Sequence, residues 1–181
     1  LEAQDRILKR VACLQTANFF KNLHEKNDVN IIQGQSIVKL IGKRNIFTGA
    51  ILDNGDELHA DFSVIGIGVK PCTDLAQSCG LEIDNGIWVN SFCQTSDKDI
   101  FAAGDCSNFP YGSGRLRLES VGNAIEQAEV AALSALGYKC EYTAKPWFWS
   151  DQFDTKLQIA GLSSGYDEVV ERNHNNSSSM W

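Results

Sequence analysis

The sequence predicts an α/β fold, and three stretches of the 181-residue chain carry that prediction. Three β-rich runs between residues 29 and 60, with a tight-turn signal at Asn54-Gly55, indicate an antiparallel β-meander. The run "DFSVIGIG" at 61–68 is almost continuously apolar, as is typical of a strand buried on both faces of a parallel sheet. The run "LESVGNAIEQAEVAALSALG", ended by Gly137, is the clearest helix in the chain.

Composition places the chain among globular proteins and excludes several classes of function. Hydrophobic residues make up 43% of it, which is enough for a packed core. The net charge of -7 argues against a nucleic-acid-binding protein, which would carry a basic patch. No apolar run approaches the roughly 18 residues of a membrane span, and the start lacks the order of a signal peptide. We therefore expect a cytoplasmic protein without a membrane segment.

The cysteines do not indicate a metal site. No two of them form a CxxC pair, and none is grouped with the histidines in a pattern typical of ligands. We expect reduced and mostly buried thiols at positions 13, 72, 79, 93, 106 and 140.

Two shorter elements follow from local signals. "TANFFKNLHEKND" places Phe19, Phe20 and Leu23 on one face and charged residues on the other, which predicts an amphipathic helix. "CTDLAQSCG" predicts a short helix closed by Gly80.

The stretch "FAAGDCS" at 101–107 is the first candidate for a ligand site. A strand that ends on Gly104 can bring its backbone close to a ligand, because glycine has no Cβ. Asp105 could then accept hydrogen bonds from ligand hydroxyl groups. A simple turn explains the same residues. The next helix favours the ligand, because its N-terminal amides would point at that place, and small residues form its packing face: Ala124, Ala128, Ala131 and Ala132.

The sequence after Lys145 predicts the start of a further domain. "KPWFWSDQFD" is followed by the predicted strands "TKLQIAGL" and "DEVVER", and then by the polar ending "NHNNSSSMW". The Trp-Phe-Trp cluster fits a core strand as well as a functional surface.

Three motifs together carry a resemblance to a known family. "TSDKDIFAAGDCSNFP", "RLRLESVGNAIEQA" and "PWFWSDQFDTKLQIAGL" resemble the FAD-dependent ferredoxin and rubredoxin reductases of the pyridine nucleotide-disulphide oxidoreductase superfamily. The resemblance implies a partial fold with two dinucleotide-binding domains, for FAD and NAD. The implied divisions are the C-terminal part of the NAD-binding domain at 1–70, a second FAD-binding segment at 71–143, the start of an α+β C-terminal interface domain at 144–172, and a disordered tail at 173–181.

The resemblance assigns FAD to the Gly-Asp stretch. It implies that Asp105, beside Gly104, hydrogen-bonds the ribityl chain of FAD. It also implies that the helix beginning near Ser120 and Val121 directs its N-terminal amides at the pyrimidine edge of the flavin.

Further site residues are implied for the other cofactor and the partner. Glu119 would lie close to the nicotinamide carboxamide, and Trp149 beside the isoalloxazine at a ferredoxin-docking surface. Glu2 would bind the adenosine ribose and favour NADH over NADPH. Gly66 and Gly68, at the end of the apolar run, would let a ligand approach.

The implied activity is electron transfer from NADH through FAD to a ferredoxin- or rubredoxin-type iron–sulphur protein. No GxGxxG loop occurs in the sequence, so we expect a fragment that lacks the N-terminal half and is inactive alone. The alternatives are a reductase of nitrite, peroxide or a disulphide, and a noncatalytic remnant of the fold.

Overall fold

The computed structural model describes residues 1–174 and 177–180, with side chains described as far as Arg172. In chain order the elements are α1 Leu14–Lys26, β1 Ile37–Lys43, β2 Ile46–Leu52, β3 Glu57–His59, α2 Asp74–Ser78, β4 Ile87–Trp88, β5 Ser107–Tyr111, β6 Gly114–Leu116, α3 Val121–Ala135, β7 Trp147–Gln152, β8 Thr155–Ala160, β9 Glu171–His174 and β10 Ser177–Met180. The chain divides into two compact units, unit 1 from residues 1–67 with those from 163 onward, and unit 2 from residues 68–162.

Helix α1 of unit 1 is the predicted amphipathic helix, although its buried side differs from the prediction. Ala17 and Phe20 are buried, three positions apart on one face. Phe19, expected on the same face, is exposed and meets the edge of the Phe20 ring at a centroid distance of 5.3 Å. Phe19 and Phe20 are consecutive residues, and consecutive side chains of a helix point in different directions, so only one of the two can face inward.

The predicted meander is present as the antiparallel sheet β1-β2-β3. A two-residue loop joins its first strands, with Arg44 and Asn45 both at positive φ, as the right-handed twist of a hairpin requires. The turn at Asn54-Gly55 is confirmed, and the Leu52 N–H donates to the Asp56 carbonyl across it at 2.9 Å.

The apolar run at 61–68 does not form the strand that its composition predicts. Its backbone has no ladder partner in the part of the chain that the structure describes. The side chains of Val64 and Ile67 are 87% and 91% exposed. A strand needs at least one neighbouring strand to pair with, and no other described segment pairs with this run.

The polar ending also differs from the disordered tail predicted for residues 173–181. Strands β9 and β10 pair antiparallel, with Ser177 opposite His174. Main-chain hydrogen bonds of a ladder do not depend on side-chain polarity, so composition alone could not exclude this pairing. The remaining residues of the predicted tail, at positions 175, 176 and 181, lie outside the described residues.

Unit 2 is built around a short mixed sheet. Strand β4 pairs parallel with β5, and β5 pairs antiparallel with β6. The Phe109 ring packs edge-on against Tyr142, with ring centroids 5.2 Å apart. The core cluster consists of Val89, Cys93, Phe109, Leu118, Ala131 and Tyr142.

The two helices of unit 2 end at the glycines that the sequence marks. Gly80 after α2 and Gly137 after α3 have φ angles of +74° and +86°, which favour glycine. In both cases the N–H of the next residue donates to the carbonyl five residues earlier at 3.0 Å.

The buried line of α3 contains only one residue of the predicted alanine face, Ala131. Asn123, Gln127 and Ala131 are buried at four-residue spacing, whereas Ala128 and Ala132 are exposed. Two polar side chains therefore lie on the inward side of the helix.

Strands β7 and β8 form an antiparallel hairpin with two different faces. Phe148 points to the core cluster, and the alternate residues Trp147 and Trp149 are exposed. Among the described residues, no helix is long and apolar enough to span a membrane.

We expect Phe109→Ala to lower the free energy of unfolding by about 4 kcal/mol, because it leaves a cavity beside Tyr142. Urea titration followed by circular dichroism measures the change. Tyr111→Ala, on the same strand but exposed, is the matched control and should cost about 1 kcal/mol or less. Equal losses in the two variants would contradict the assignment of Phe109 to the core.

Candidate functional site

The stretch before Gly104 reaches the site without forming the strand predicted there. Phe101 makes only an isolated bridge with Gln94, and the Ala102 N–H donates to the Cys93 carbonyl at 3.0 Å. Gly104 has a φ of +81°, and the Ser107 N–H closes a turn onto its carbonyl at 3.0 Å. The positive φ is therefore one reason for glycine at this position.

A buried glutamine ties this turn to helix α3. The Gln127 Oε1 accepts hydrogen bonds from the Gly104 N–H and from the Ser107 hydroxyl, each at 2.7 Å. The fixed donor at Gly104 determines which way the amide faces, because the Nε2 group could not accept that bond. Gln127 is fully buried, so both bonds are shielded from water.

The first turn of α3 lies directly against Gly104. A Cβ placed on Gly104 would be 3.5 Å from the Cβ of Ala124. The Ser120 hydroxyl caps the helix by accepting from the Asn123 N–H at 3.3 Å. The N–H groups of Val121 and Gly122 have no acceptor within the described part of the chain, so they remain available to an anionic or carbonyl group.

A second buried contact fixes the start of α3. The Tyr142 hydroxyl donates to the Asn123 Oδ1 at 2.6 Å, and the Asn123 Nδ2 donates to the Leu118 carbonyl at 3.0 Å. Burial, with a smaller contribution from the Glu126 charge, raises the pKa of Tyr142 to about 12. The phenol is thus neutral at physiological pH and keeps its proton for this bond.

Charged groups surround the mouth of the turn. Asp105 is exposed, and its main-chain carbonyl accepts from Arg117 Nη1 at 3.0 Å. The same nitrogen lies 2.6 Å from Glu119 Oε1. The turn of residues 104–107, the N-terminus of α3 and Glu119 therefore form one continuous cluster, which we call the turn–helix site.

Trp149 lies on the separate β7–β8 hairpin of the same unit. Its ring stacks on that of Trp147, with centroids 5.0 Å apart and 28° between the planes. The face of the hairpin that carries the two tryptophans has an open depression of about 220 Å³. The depression is lined by Trp147, Trp149, Asp151, Lys156, Leu157 and Gln158. The aromatic cluster is therefore split, with Phe148 in the core and both tryptophans on the surface.

Glu2 and Gly66 belong to unit 1, whereas the turn–helix site belongs to unit 2. Glu2 forms a parallel bridge with Gln33, and its Oε1 accepts from the Gln4 N–H at 2.8 Å. A Cβ on Gly66 would meet nothing within 4 Å, and Gly68, with a φ of +98°, begins unit 2.

The cysteines are less buried than predicted. Only Cys93 is buried, where desolvation raises the pKa of its thiol to about 11, and Cys72 and Cys79 are exposed. All six are free thiols. Among the residues that the structure describes, no three His, Cys, Asp or Glu side chains form a group that could hold a metal ion.

Sequence reasoning missed two residues that shape the site, Gln127 and Arg117. A polar side chain four positions after Asn123 is a signal for a buried hydrogen bond on the inner face of α3. No comparable local signal marks Arg117, because its partner carbonyl at Asp105 is twelve residues away in the sequence.

Comparison with known families decides the class of the protein. The family "Pyridine nucleotide-disulphide oxidoreductase" matches residues 1–131, and "Reductase C-terminal" matches residues 147–181. The chain belongs to the pyridine nucleotide-disulphide oxidoreductases.

Relatives of this family include reductases with named partners. Rhodocoxin reductase of Rhodococcus erythropolis is 38% identical over 174 residues, 95% of this chain and 41% of the relative. A crystal structure of a ferredoxin reductase from Rhodopseudomonas palustris matches with a TM-score of 0.94 at 36% identity, covering 99% of this chain and 45% of that one. The covalent putidaredoxin reductase–putidaredoxin complex matches with a TM-score of 0.90 at 37% identity, covering 96% and 42%. This chain thus spans about two-fifths of the length of such relatives.

The turn–helix site fits the groups that a flavin dinucleotide presents. The exposed Asp105 carboxylate can accept from the hydroxyls of a sugar-alcohol chain. The unpaired N–H groups of Val121 and Gly122 suit the carbonyl-bearing edge of a flavin, and a Cβ on Gly122 would meet nothing within 4 Å.

We expect Gln127→Leu to lower the free energy of unfolding by about 2 kcal/mol, because the buried Gly104 N–H loses its acceptor, whereas the Ser107 hydroxyl keeps the Gly104 carbonyl at 3.0 Å. Gln127→Glu, when its carboxyl is protonated, keeps an oxygen in place and should recover part of the loss below neutral pH. Urea titrations at two pH values measure both changes. Gln158→Leu on the exposed hairpin face is the control, and a loss as large as that of Gln127→Leu would contradict the interpretation.

Proposed function

We propose that this chain is part of a reductase that passes electrons from NADH through FAD to a ferredoxin- or rubredoxin-type iron–sulphur protein. Relatives whose names specify such partners support the proposal, among them ferredoxin reductases and rubredoxin reductases. The matched putidaredoxin reductase complex also contains its electron carrier. Because the chain spans about two-fifths of its relatives, the activity belongs to a longer protein.

One observation carries the flavin assignment. The Gly104 turn lies against the first turn of α3, where a Cβ on Gly104 would be 3.5 Å from the Ala124 Cβ, and it is tied to the same helix by the buried acceptor Gln127. This contact brings an exposed carboxylate beside a helix N-terminus with free N–H groups. A ligand that offers both hydroxyl donors and carbonyl acceptors satisfies the two halves of such a site together.

We assign individual roles on this basis. Asp105 accepts hydrogen bonds from the ribityl hydroxyls, and Gly104, whose missing Cβ would face Ala124, lets helix α3 lie close to the turn that carries this carboxylate. Ser120 and Val121, at the start of α3, offer the partial positive charge of the helix to the pyrimidine edge. FAD, when bound, supplies the conversion between hydride and single-electron transfer. The protein supplies position and electrostatics, and no general base is required.

Further residues are assigned to parts of the nicotinamide dinucleotide. Glu119 would lie near the nicotinamide carboxamide. Glu2, which forms the parallel bridge with Gln33, would accept hydrogen bonds from the adenosine ribose and repel a 2′-phosphate. Gly66 and Gly68 would leave room for a ligand at the end of the apolar run. These roles favour NADH over NADPH.

The exposed tryptophans support a docking role for the β7–β8 hairpin. Trp149 is 48% exposed although it is large and apolar, which is typical of a surface that meets a partner. We assign Trp149 to the edge of the flavin and the docking surface of the iron–sulphur protein. The hairpin then begins an interface domain at residues 144–172, after a FAD-binding segment at 71–143 and the NAD-binding part at 1–70.

We further propose a cytoplasmic location. All six cysteines are free, and exposed thiols such as Cys72 and Cys79 persist in a reducing compartment.

The test uses the full-length protein reconstituted with FAD. Anaerobic addition of NADH should bleach the flavin absorbance, and a ferredoxin or rubredoxin should then be reduced with NADH preferred over NADPH. Failure to take up FAD would indicate a noncatalytic remnant of the fold. Rapid reduction of nitrite, peroxide or a disulphide without transfer to an iron–sulphur protein would replace the proposed acceptor.

We expect Asp105→Ala to weaken FAD binding by about tenfold, because one or two charge-assisted hydrogen bonds to the ribityl chain are lost. Fluorescence quenching on titration of the apoprotein with FAD measures the dissociation constant. Asp61→Ala, at an exposed carboxylate of unit 1, is the control and should leave the constant unchanged. An unchanged constant in Asp105→Ala would contradict the role of this carboxylate.

A further inference from the structure

One arginine contacts two of the positions assigned to different cofactors. Arg117 Nη1 donates to the Asp105 carbonyl at 3.0 Å and pairs with Glu119 Oε1 at 2.6 Å. The Arg117 and Glu119 side chains are only 11% and 33% exposed. The ion pair is therefore partly shielded from solvent, where a charge-assisted hydrogen bond is stronger than at an open surface.

The neighbouring turn is shaped around this arginine. Arg117 Nε lies 3.4 Å from Asn85 Oδ1, and both Asn85 and Gly86 have positive φ. A Cβ on Gly86 would come within 2.9 Å of the Arg117 Cδ and 2.8 Å of the Cys106 carbonyl oxygen. Glycine at this position therefore leaves the path along which the arginine stem reaches the turn–helix site.

We propose that Arg117 is a positioning residue that couples the FAD contact to the nicotinamide contact. It holds the main chain of Asp105 with one bond and the carboxylate of Glu119 with another, so the two assigned subsites are fixed to the same guanidinium. This inference rests on the proposed function, because Asp105 and Glu119 matter to cofactors only if FAD and NADH bind there.

Loss of each of the two Arg117 bonds should affect the binding of a different cofactor. Loss of the bond to Asp105 should loosen the turn and weaken FAD binding. Loss of the bond to Glu119 should free its carboxylate to adopt other rotamers and weaken NAD⁺ binding. If Arg117 acts on the nicotinamide only through Glu119, removing the arginine should cost little more once the carboxylate has been neutralised.

The experiment measures dissociation constants of FAD and NAD⁺ in the full-length protein for Arg117→Met, Glu119→Gln and the double variant. We expect Arg117→Met to raise both constants by about tenfold. In the Glu119→Gln background, Arg117→Met should still raise the FAD constant by about tenfold but the NAD⁺ constant by less than about twofold.

Arg115→Met is the matched control. Arg115 lies two residues away and donates to the carbonyls of Val89 and Asn108 while its guanidinium stacks over Trp88. Its loss should lower thermal stability and leave both dissociation constants within about twofold. Arg117→Lys, which offers a single ammonium to the two oxygens, should weaken binding of at least one cofactor if Arg117→Met does not fold.

The outcomes distinguish this inference from the proposed function. Wild-type protein that takes up no FAD would overturn both. Wild-type protein that binds FAD and NAD⁺, with Arg117 variants that bind both equally well, would overturn the coupling alone. Fully additive losses of NAD⁺ affinity in the double variant would also overturn it, because Arg117 would then act independently of Glu119.

Discussion

The candidate site depends on one buried side chain, Gln127, which holds the Gly104 turn against helix α3. Its amide oxygen accepts both the Gly104 N–H and the Ser107 hydroxyl, in a place from which water is excluded. Buried hydrogen bonds contribute modestly when formed, but a buried donor left without a partner is costly. The turn and the helix are therefore fixed as one unit, and the position of Asp105 follows from it.

Other contacts near Gln127 restrict the conformation of the first turn of α3 or of the Gly104 turn. Tyr142 holds Asn123 in the first turn, and Ser120 caps the helix. Arg117 connects the Asp105 main chain to Glu119. A site that binds a large cofactor benefits from such prior order, because fewer groups lose conformational freedom when the ligand arrives.

Local signals in the sequence predicted local structure well, and long-range constraints explain what they missed. Gly80 and Gly137 mark helix ends because the required φ angle is a property of the residue itself. The apolar composition of residues 61–68 predicts burial, but it does not show whether partner strands are present. These residues are exposed. Likewise, Ala131 faces inward as predicted, but the other buried positions of α3 are set by partners distant in sequence, which is why Gln127 was not foreseen.

Hydrogen–deuterium exchange of the full-length protein, with and without FAD, tests the central claim most directly. The account predicts that FAD slows exchange at the main-chain amides of residues 104–107 and of the first turn of α3, because the cofactor would cover both together. Slowed exchange elsewhere, with unchanged rates at these two segments, would contradict the assignment of the flavin to the turn–helix site.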